Sequence, residues 1–441
     1  MKVFFYFDNL KKKDIDFSVP ENGNPGVGGT EFMIWSISYY LNLYFNDIDI
    51  YLLAPVIDKL PKNIKCIKCD SIYDSVKFAD KMKSDILVLR GAHCRESELF
   101  DLIDNLKVKT IMWCHNFEQY DYLKLANRTK YIKRNICVSK EQYDRLRDHS
   151  ILKKSDYIFN AIDCSIYENK ISCEEKKDNI ICYLGAIRPF KGFHKLAEIW
   201  PRIEEKIPDC KLYVIGSGKL YDENVTLGQY GIAEKKYEDM FIKYLLDEHG
   251  KIKSNVKFFG DLSHNDKIRI MSQAKVGVLN PIARDETFCI SAIEFEVLGV
   301  PVVAKKTYGL LNTVKENYTG FLIKNNNELI EAILKILNNN SLMIDMGNNA
   351  KEYVKDNFDI KDICKEWRRV FYEVHNDIDN ISELKSNNYD CDLKWLREIN
   401  RQIKKISIFK QIPAILEYPE AIYDNKYYQK ISLIKEKILK K

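Results

Sequence analysis

Short apolar runs alternate along this chain with segments in which apolar residues recur every three or four positions. The runs in the first part are 3–7, 48–53, 86–89, 110–113 and 135–138, and 157–160 closes the set. Runs of this length bounded by polar residues read as strands buried on both faces of a parallel sheet. Between them, 30–43 and 97–106 carry the helical period. A polar stretch, 168–179, rich in Glu, Lys, Asn and Ser, predicts a linker. The alternation then restarts with runs 180–184, 211–215, 256–259, 276–279 and 300–304, separated by helical patterns at 194–207, 266–273 and 290–298. Strands alternating with helices predict α/β layers, so two doubly wound domains follow each other. Ligands of such sheets bind beyond the carboxyl ends of the strands. From about residue 327 the chain turns helical. The expected division is 1–167, 178–350, and a helical region with a basic tail over 351–441.

The tail differs from the rest. Trp395, Leu396, Ile399, Ile403 and Ile406 recur at helical spacing, and residues 391–441 hold 12 Lys/Arg against 6 Asp/Glu. Two readings stand. The stripe packs on the domains as a helical cap, which is the reading favoured here because such stripes usually face a core. In the other, the tail lies on an anionic membrane and brings the protein to a lipid-linked partner.

Composition bounds the rest. The 441 residues are 46% hydrophobic and 30% charged, and the net charge is +5 from 69 basic and 64 acidic side chains. That balance is ordinary for a globular chain and argues against nucleic acid as a partner. No run reaches the roughly 18–20 apolar residues of a membrane span. Residues 2–7 meet Asp8 and the lysines 11–13 too soon for a signal peptide, so a cytoplasmic protein is expected. The 12 cysteines are scattered. The single C-x-x-C, Cys66 and Cys69, has no second pair nearby, so reduced buried thiols are expected and no metal site.

Candidate chemistry concentrates between Asn280 and Glu294. This segment follows an apolar run and leads into a helical pattern; Gly299 and Pro301-Val302-Val303-Ala304 come next. Glu286 and Glu294 are eight apart, roughly 12 Å along an ideal helix. A glycosidase pair needs about 5–9.5 Å. Two contacts on one ligand fit better, with Glu294 accepting from vicinal hydroxyls and Glu286 touching another part. The amides of Phe288 and Cys289 open a helix, whose N-terminus attracts phosphate. The spacing also suits a plain amphipathic helix with two solvated glutamates.

With its flanks, the segment resembles the E-x7-E motif of the retaining GT-B glycosyltransferases, the family 4 enzymes (glycosyl transferases group 1). Glu286, Phe288, Glu294, Gly299, Pro301, Val302, Val303 and Ala304 match that pattern. Cys289 stands where glycine is usual, and Phe295-Glu296 replace Ala-Met. The stretch 183–192 resembles the family's phosphate-binding loop, with Lys191-Gly192 in register, Ala186 at the usual arginine position, and Arg188 two residues on as its expected substitute. Gly216 and Leu262 follow strands that resemble those beside the nucleotide. Tyr308-Gly309 and 319–323 continue the likeness, and Asn312 stands where Glu is frequent. In the first half, Gly28 and Gly29 look like the family's glycine loop, and His115 like the histidine facing donor sugar and acceptor. His93, Ser139 and 160–163 are weaker landmarks. The glycine loop lacks the Gly-Lys-Ser/Thr of an ATPase.

The resemblance implies a GT-B architecture: two Rossmann-like domains facing a cleft, plus the helical C-terminal extension. It implies transfer of a glycosyl group from a UDP- or GDP-sugar, with retention and without a metal cofactor, in cell-surface polysaccharide biosynthesis. The acceptor is a carbohydrate, a lipid-linked glycan or another hydroxyl compound. It places Lys191, Arg188, Glu286 and His115 at the reacting centre. Gly28, Gly29, Gly216, Leu262, Phe288, Cys289, Ile290 and Glu294 then hold the donor. A nucleotide-sugar epimerase shares this architecture, and an inactive sugar-nucleotide-binding partner is the third reading.

Overall fold

The computed structural model describes residues 1–147, 149–167, 178–219, 225–283, 286–381 and 394–409. The expected linker therefore lies almost wholly outside the described residues, as do the last 32 positions of the tail, 410–441.

Two parallel sheets form the body. The first holds β1 (Lys2–Tyr6), β2 (Asp49–Ala54), β3 (Lys65–Lys68), β4 (Ile86–Arg90), β5 (Thr110–Cys114), β6 (Ile132–Cys137) and β7 (Ser155–Tyr157). The second holds β8 (Ile180–Leu184), β9 (Lys211–Ile215), β10 (Val256–Gly260), β11 (Val276–Leu279), β12 (Val302–Lys305) and β13 (Gly320–Ile323). Their orders are β3-β2-β1-β4-β5-β6-β7 and β10-β9-β8-β11-β12-β13. Each sheet reverses its winding beside its first strand, where Phe5 pairs with both Leu52 and Val88, and Tyr183 with both Val214 and Val278. Ligand crevices of open α/β sheets form at such switch points.

Helices cover both faces, which is why Val3, Phe4 and Phe5 are all fully buried. The first unit carries α1 (Gly29–Tyr44), α2 (Ile72–Lys81), α3 (Ser97–Leu106), α4 (Tyr120–Arg128) and α5 (Lys140–Arg145). The second carries α6 (Phe193–Lys206), α7 (Lys235–Phe241), α8 (His264–Met271), α9 (Ile290–Val297), α10 (Leu310–Thr313), α11 (Asn326–Leu337) and α12 (Asn340–Phe358). Two further helices are α13 (Ile360–His375) and α14 (Lys394–Lys404).

The stretch grouped as 351–441 in the sequence is divided in the structure. At Asp359 the chain returns beside Ile162, with reciprocal bonds Ile162 N–H to Phe358 O (3.1 Å) and Ile360 N–H to Ile162 O (2.9 Å). Helix α13 then lies on the first unit and completes its core. Trp367 meets Phe5 and Trp113 at ring-centroid distances of 6.3 and 4.6 Å, and Arg134 pairs with Glu373. The amphipathic pattern of α13 shows that it packs, but which sheet receives it depends on where the chain crosses.

The expected cap is corrected for the described part of the tail. Trp395, Ile399, Ile403 and Ile406 are exposed. The first three make one apolar face of α14, which Ile406 follows, and that face is not packed on either domain among the described residues.

The departure at Phe295-Glu296 has a packing explanation for the first residue and a thermodynamic consequence for the second. A side chain at Gly277 on β11 would place its Cβ 2.8 Å from the Phe295 ring, so the glycine makes room for the larger group. Glu296 is fully buried. Thr319 donates to its Oε1 at 2.6 Å, and burial pushes its pKa well above the usual value. Above about pH 4.5 the unfolded carboxyl releases its proton while the folded one keeps it, so stability falls as pH rises until the folded pKa is reached. Each unit of that interval removes about 1.4 kcal/mol. Glu296→Gln should flatten the decline and melt higher than wild type at pH 8. Melting curves that stay parallel from pH 5 to 8 would contradict it.

Candidate functional site

A cavity of about 470 Å³ lies between the carboxyl ends of the two sheets. Its first wall is the start of α1 with His115, Asn116 and Asn160, and its second is built from the ends of β8, β9 and β11 with the start of α9. Two helix N-termini therefore face one space. Gly28 caps α1 and Cys289 caps α9, each without a side-chain hydrogen bond to the exposed amides. A Cβ on Gly29 would come within 3.0 Å of Ile290 Cδ1, so the helix starts stand opposite each other. Opposed N-termini concentrate partial positive charge in the space between them. The loop before α1 is held by Asn24, whose Oδ1 accepts from the amides of Gly26 and Val27 at 3.0 and 2.9 Å.

Each of the two glutamates singled out in the sequence carries a lysine. Lys191 Nζ lies 2.6 Å from Glu286 Oε2, and Lys267 Nζ lies 2.6 Å from Glu294 Oε1. Asn280 Nδ2 donates to the same Glu286 oxygen at 2.7 Å, and its Oδ1 accepts from Ala283 N–H at 2.7 Å. The loop that presents Glu286 thus closes on Asn280, which holds a positive φ of 36°. Strain of this kind persists where surrounding contacts over-determine the backbone. Helix α9 begins only at Ile290, so the eight-residue spacing between the glutamates is not helical throughout. Glu286 sits in a loop and Glu294 one turn into the helix, both lining the cavity.

Gly28, Gly29, His115, Lys191, Gly216, Leu262, Phe288, Cys289 and Ile290 also line it. Burial keeps the Cys289 thiol protonated, with Glu286 adding to the shift. Phe288 serves the domain junction as well, in an aromatic trio with Phe159 and Phe358 at centroid distances of 5.9 and 5.5 Å. Gly216 is needed for close approach, because a Cβ there would sit 2.3 Å from Gly185 O. Gly309 has the same character. Its N–H donates to Glu286 O at 2.9 Å, and a Cβ would meet Thr287 O at 2.1 Å.

His115 is buried at the end of β5. Burial and the nearby Arg90 hold its pKa well below the usual 6.5, so the ring is neutral at pH 7, and its Nε2 has no hydrogen-bond partner among the described residues. Thr287 Oγ1 donates to His115 O at 2.6 Å and ties the two domains across the cleft. Arg188 stands at the start of the turn Pro189–Lys191 and is not among the residues that line the cavity; its Nε and Nη2 are buried without a hydrogen-bond partner among the described residues.

Lys267 is the cation that the sequence did not disclose. It lies on α8, and no local motif marks it; its partner Glu294 is 27 residues on. Tyr167 is also new, its hydroxyl donating to Glu294 Oε1 at 3.2 Å from the exit of the first domain. Of the remaining landmarks, Asn160 lines the cavity and the others are structural or lie elsewhere. Ser139 caps α5 by accepting from Gln142 N–H, Asn312 Oδ1 accepts from Glu141 N–H across the domains at 3.2 Å, and His93 contacts Asn116 outside this cavity. Cys66 lies on β3, where burial pushes its thiol up to about 11.

Residues 168–353 match the family model described as Glycosyl transferases group 1. The chain is 29% identical over 222 residues to an uncharacterized glycosyltransferase of Methanocaldococcus jannaschii, covering 50% of this chain and 54% of that protein. It thus spans about half the length of that relative. A second uncharacterized glycosyltransferase of the same organism is 23% identical over 398 residues, covering 80% of this chain and 96% of its own length. Among solved structures, HepE of Anabaena in complex with UDP-glucose superposes with a TM-score of 0.60 at 15% identity, over 85% of this chain and 100% of that one. That likeness shows the fold, a GT-B pair of Rossmann-like domains.

Proposed function

We propose that this chain is a nucleotide-sugar-dependent glycosyltransferase that works with retention of configuration, as the family 4 enzymes do. The observation that carries the reading is the single cleft in which two helix N-termini, Lys191 and Lys267 converge beside Glu286 and Glu294. Such an array suits a diphosphate flanked by two hydroxyl-bearing groups. Lys191 and the amides of α1 and α9 take the diphosphate, Glu294 the ribose, and Glu286 the donor sugar, a UDP- or GDP-sugar. His115, neutral and with an unpartnered ring nitrogen, faces the sugar and acceptor.

In the reaction the bond from the anomeric carbon to the β-phosphate oxygen breaks and a bond to the acceptor oxygen forms on the same face. The acceptor proton passes to the departing phosphate. Glu286 supports this route, because its Oε2 is already engaged by Lys191 and Asn280 and so is poorly placed as a nucleophile. Catalysis then rests on positioning and on stabilising the leaving charge. Lys191 and the two helix termini supply that stabilisation in this reading, which invokes no metal ion.

The test is transfer by the purified chain from UDP- and GDP-sugars to glycoside acceptors, with and without EDTA, followed by NMR of the new anomeric centre. Retained configuration and EDTA-insensitive turnover are expected. An epimerised donor formed without acceptor would replace this reading with an epimerase.

The exposed apolar face of α14 and the basic excess of residues 391–441 support peripheral contact with an anionic membrane, at the inner face of the cell membrane for a cytoplasmic protein. No described helix is long and apolar enough to cross a membrane. The full chain should co-sediment with vesicles containing phosphatidylglycerol and lose most of that binding when truncated after residue 390. Equal sedimentation of both forms would refute the contact.

A further inference from the structure

Tyr308-Gly309 and Asn312 stand out in the sequence, yet none of the three lines the donor cleft. They span the turn after β12 and the start of α10, and this turn is bonded to the loop that presents Glu286. The Gly309 amide donates to Glu286 O at 2.9 Å, and a Cβ at that glycine would sit 2.1 Å from Thr287 O. Beside it, Tyr308 holds a φ of 49°. The left-handed region is uncommon for a bulky side chain, and it persists where surrounding contacts over-determine the backbone.

Those contacts come from the first domain. The ring of Phe117 lies 5.1 Å from that of Tyr308, centre to centre. The guanidinium of Arg145, the last residue of α5, lies 4.1 Å from the Phe117 ring centre and 5.7 Å from that of Tyr308. A guanidinium within about 6 Å of an aromatic ring is attracted by its quadrupole. At the other end of α5 the Glu141 amide donates to Asn312 Oδ1 at 3.2 Å. Phe117 follows His115 by two residues, on the same loop after β5. Arg145, Phe117 and Tyr308 therefore tie the loop of His115 to the loop of Glu286. Thr287 Oγ1, donating to His115 O at 2.6 Å, is a second tie between the same two loops.

We propose that Arg145, Phe117 and Tyr308 are positioning residues that set Glu286 against His115 across the cleft. Tyr308 transmits the effect, because its neighbour Gly309 holds the Glu286 carbonyl. None of the three lines the cleft, so each acts through the Glu286 loop and not on the ligand. The proposal deepens the glycosyltransferase reading and rests on it for the roles of Glu286 and His115. The coupling of the two loops follows from the contacts alone. A misplacement of about 1 Å at a reacting centre can cost roughly 10²-fold in rate. A contact between a cation and a ring is weak, and its loss sets a smaller expected effect, about tenfold.

The experiment uses the full chain and four variants. Tyr308→Asn removes the ring and keeps a residue that tolerates the left-handed region. Arg145→Met removes the cation and keeps an unbranched stem. The double variant removes both, and Tyr308→Phe keeps the ring. Hydrogen–deuterium exchange without ligand reads the peptide that holds the Gly309 amide. Exchange there should be about tenfold faster in the first three variants and unchanged in Tyr308→Phe. Steady-state kinetics with the UDP- or GDP-sugar that wild type turns over should show kcat lower by about tenfold in each single variant. The double variant should be no slower than either single one, because residues that act as one unit are not additive. The affinity for UDP or GDP alone should stay as in wild type, since Glu286 meets the sugar and not the nucleotide. The proposal fails if exchange at Gly309 is unchanged in both single variants, if the two losses multiply in the double variant, or if nucleotide affinity falls as far as kcat. Wild type that turns over no nucleotide sugar would count against the glycosyltransferase reading, and the exchange rates would still decide whether the three residues hold the Glu286 loop.

Discussion

Lys191→Ala should lower turnover by about 10²–10³-fold while the protein stays folded, the usual effect of removing one group aimed at developing negative charge. Lys191 is partly exposed, with 22% of its side chain accessible, so its removal leaves no sealed void. Glu286 keeps a partner after the change, because Asn280 Nδ2 remains 2.7 Å from the same oxygen. The loss therefore falls on the reaction. Lys191→Arg restores the charge but not the compact ammonium geometry, and should recover only part of the rate. Steady-state kinetics beside circular dichroism of each variant decides the point. Turnover of Lys191→Ala near the wild-type rate would remove the lysine from the leaving-group site.

The second large effect concerns the buried pair. Glu294 and Lys267 are 5% and 11% exposed, 2.6 Å apart. Removing one partner of such a pair strands the other charge and costs about 3–5 kcal/mol. Glu294→Ala alone should therefore destabilise the protein strongly, and lost activity in that variant says little about ribose binding. The double variant Glu294→Gln with Lys267→Met removes both charges and should recover most of the stability. Its donor affinity should still fall by roughly 10–100-fold, the worth of one or two hydrogen bonds to a charged acceptor. Chemical denaturation and calorimetric titration separate the two quantities. A double variant that binds donor as tightly as wild type would take Glu294 out of the ribose contact.

Much of the fold was legible because buried parallel strands write continuous apolar runs. Those at 3–7, 86–89, 180–184 and 276–279 became central strands of the two sheets. The edge strands β3 and β13 were harder to read. Lys65–Lys68 is charged at both ends and half-exposed, and so lacks the apolar run of a central strand. The path of α13 was not legible either, since its apolar stripe fits any core, and only the Ile162–Asp359 crossing brings it to the first sheet. In the site, Glu286, Glu294 and Lys191 could be found because they lie in contiguous segments with recognisable flanks. Lys267 and Tyr167 could not, because each reaches Glu294 through tertiary structure from an unmarked segment.

The central claim, that the cleft between the sheets holds a nucleoside-diphosphate sugar, is tested most directly by thermal-shift measurement with UDP, GDP and their sugars on wild type and Lys191→Ala. One nucleotide series should stabilise wild type, by about 2.7 kcal/mol at 100 times its dissociation constant. The variant should show little of that stabilisation at the same concentration. Wild type unmoved by every nucleotide, or a variant stabilised as fully as wild type, would contradict the account.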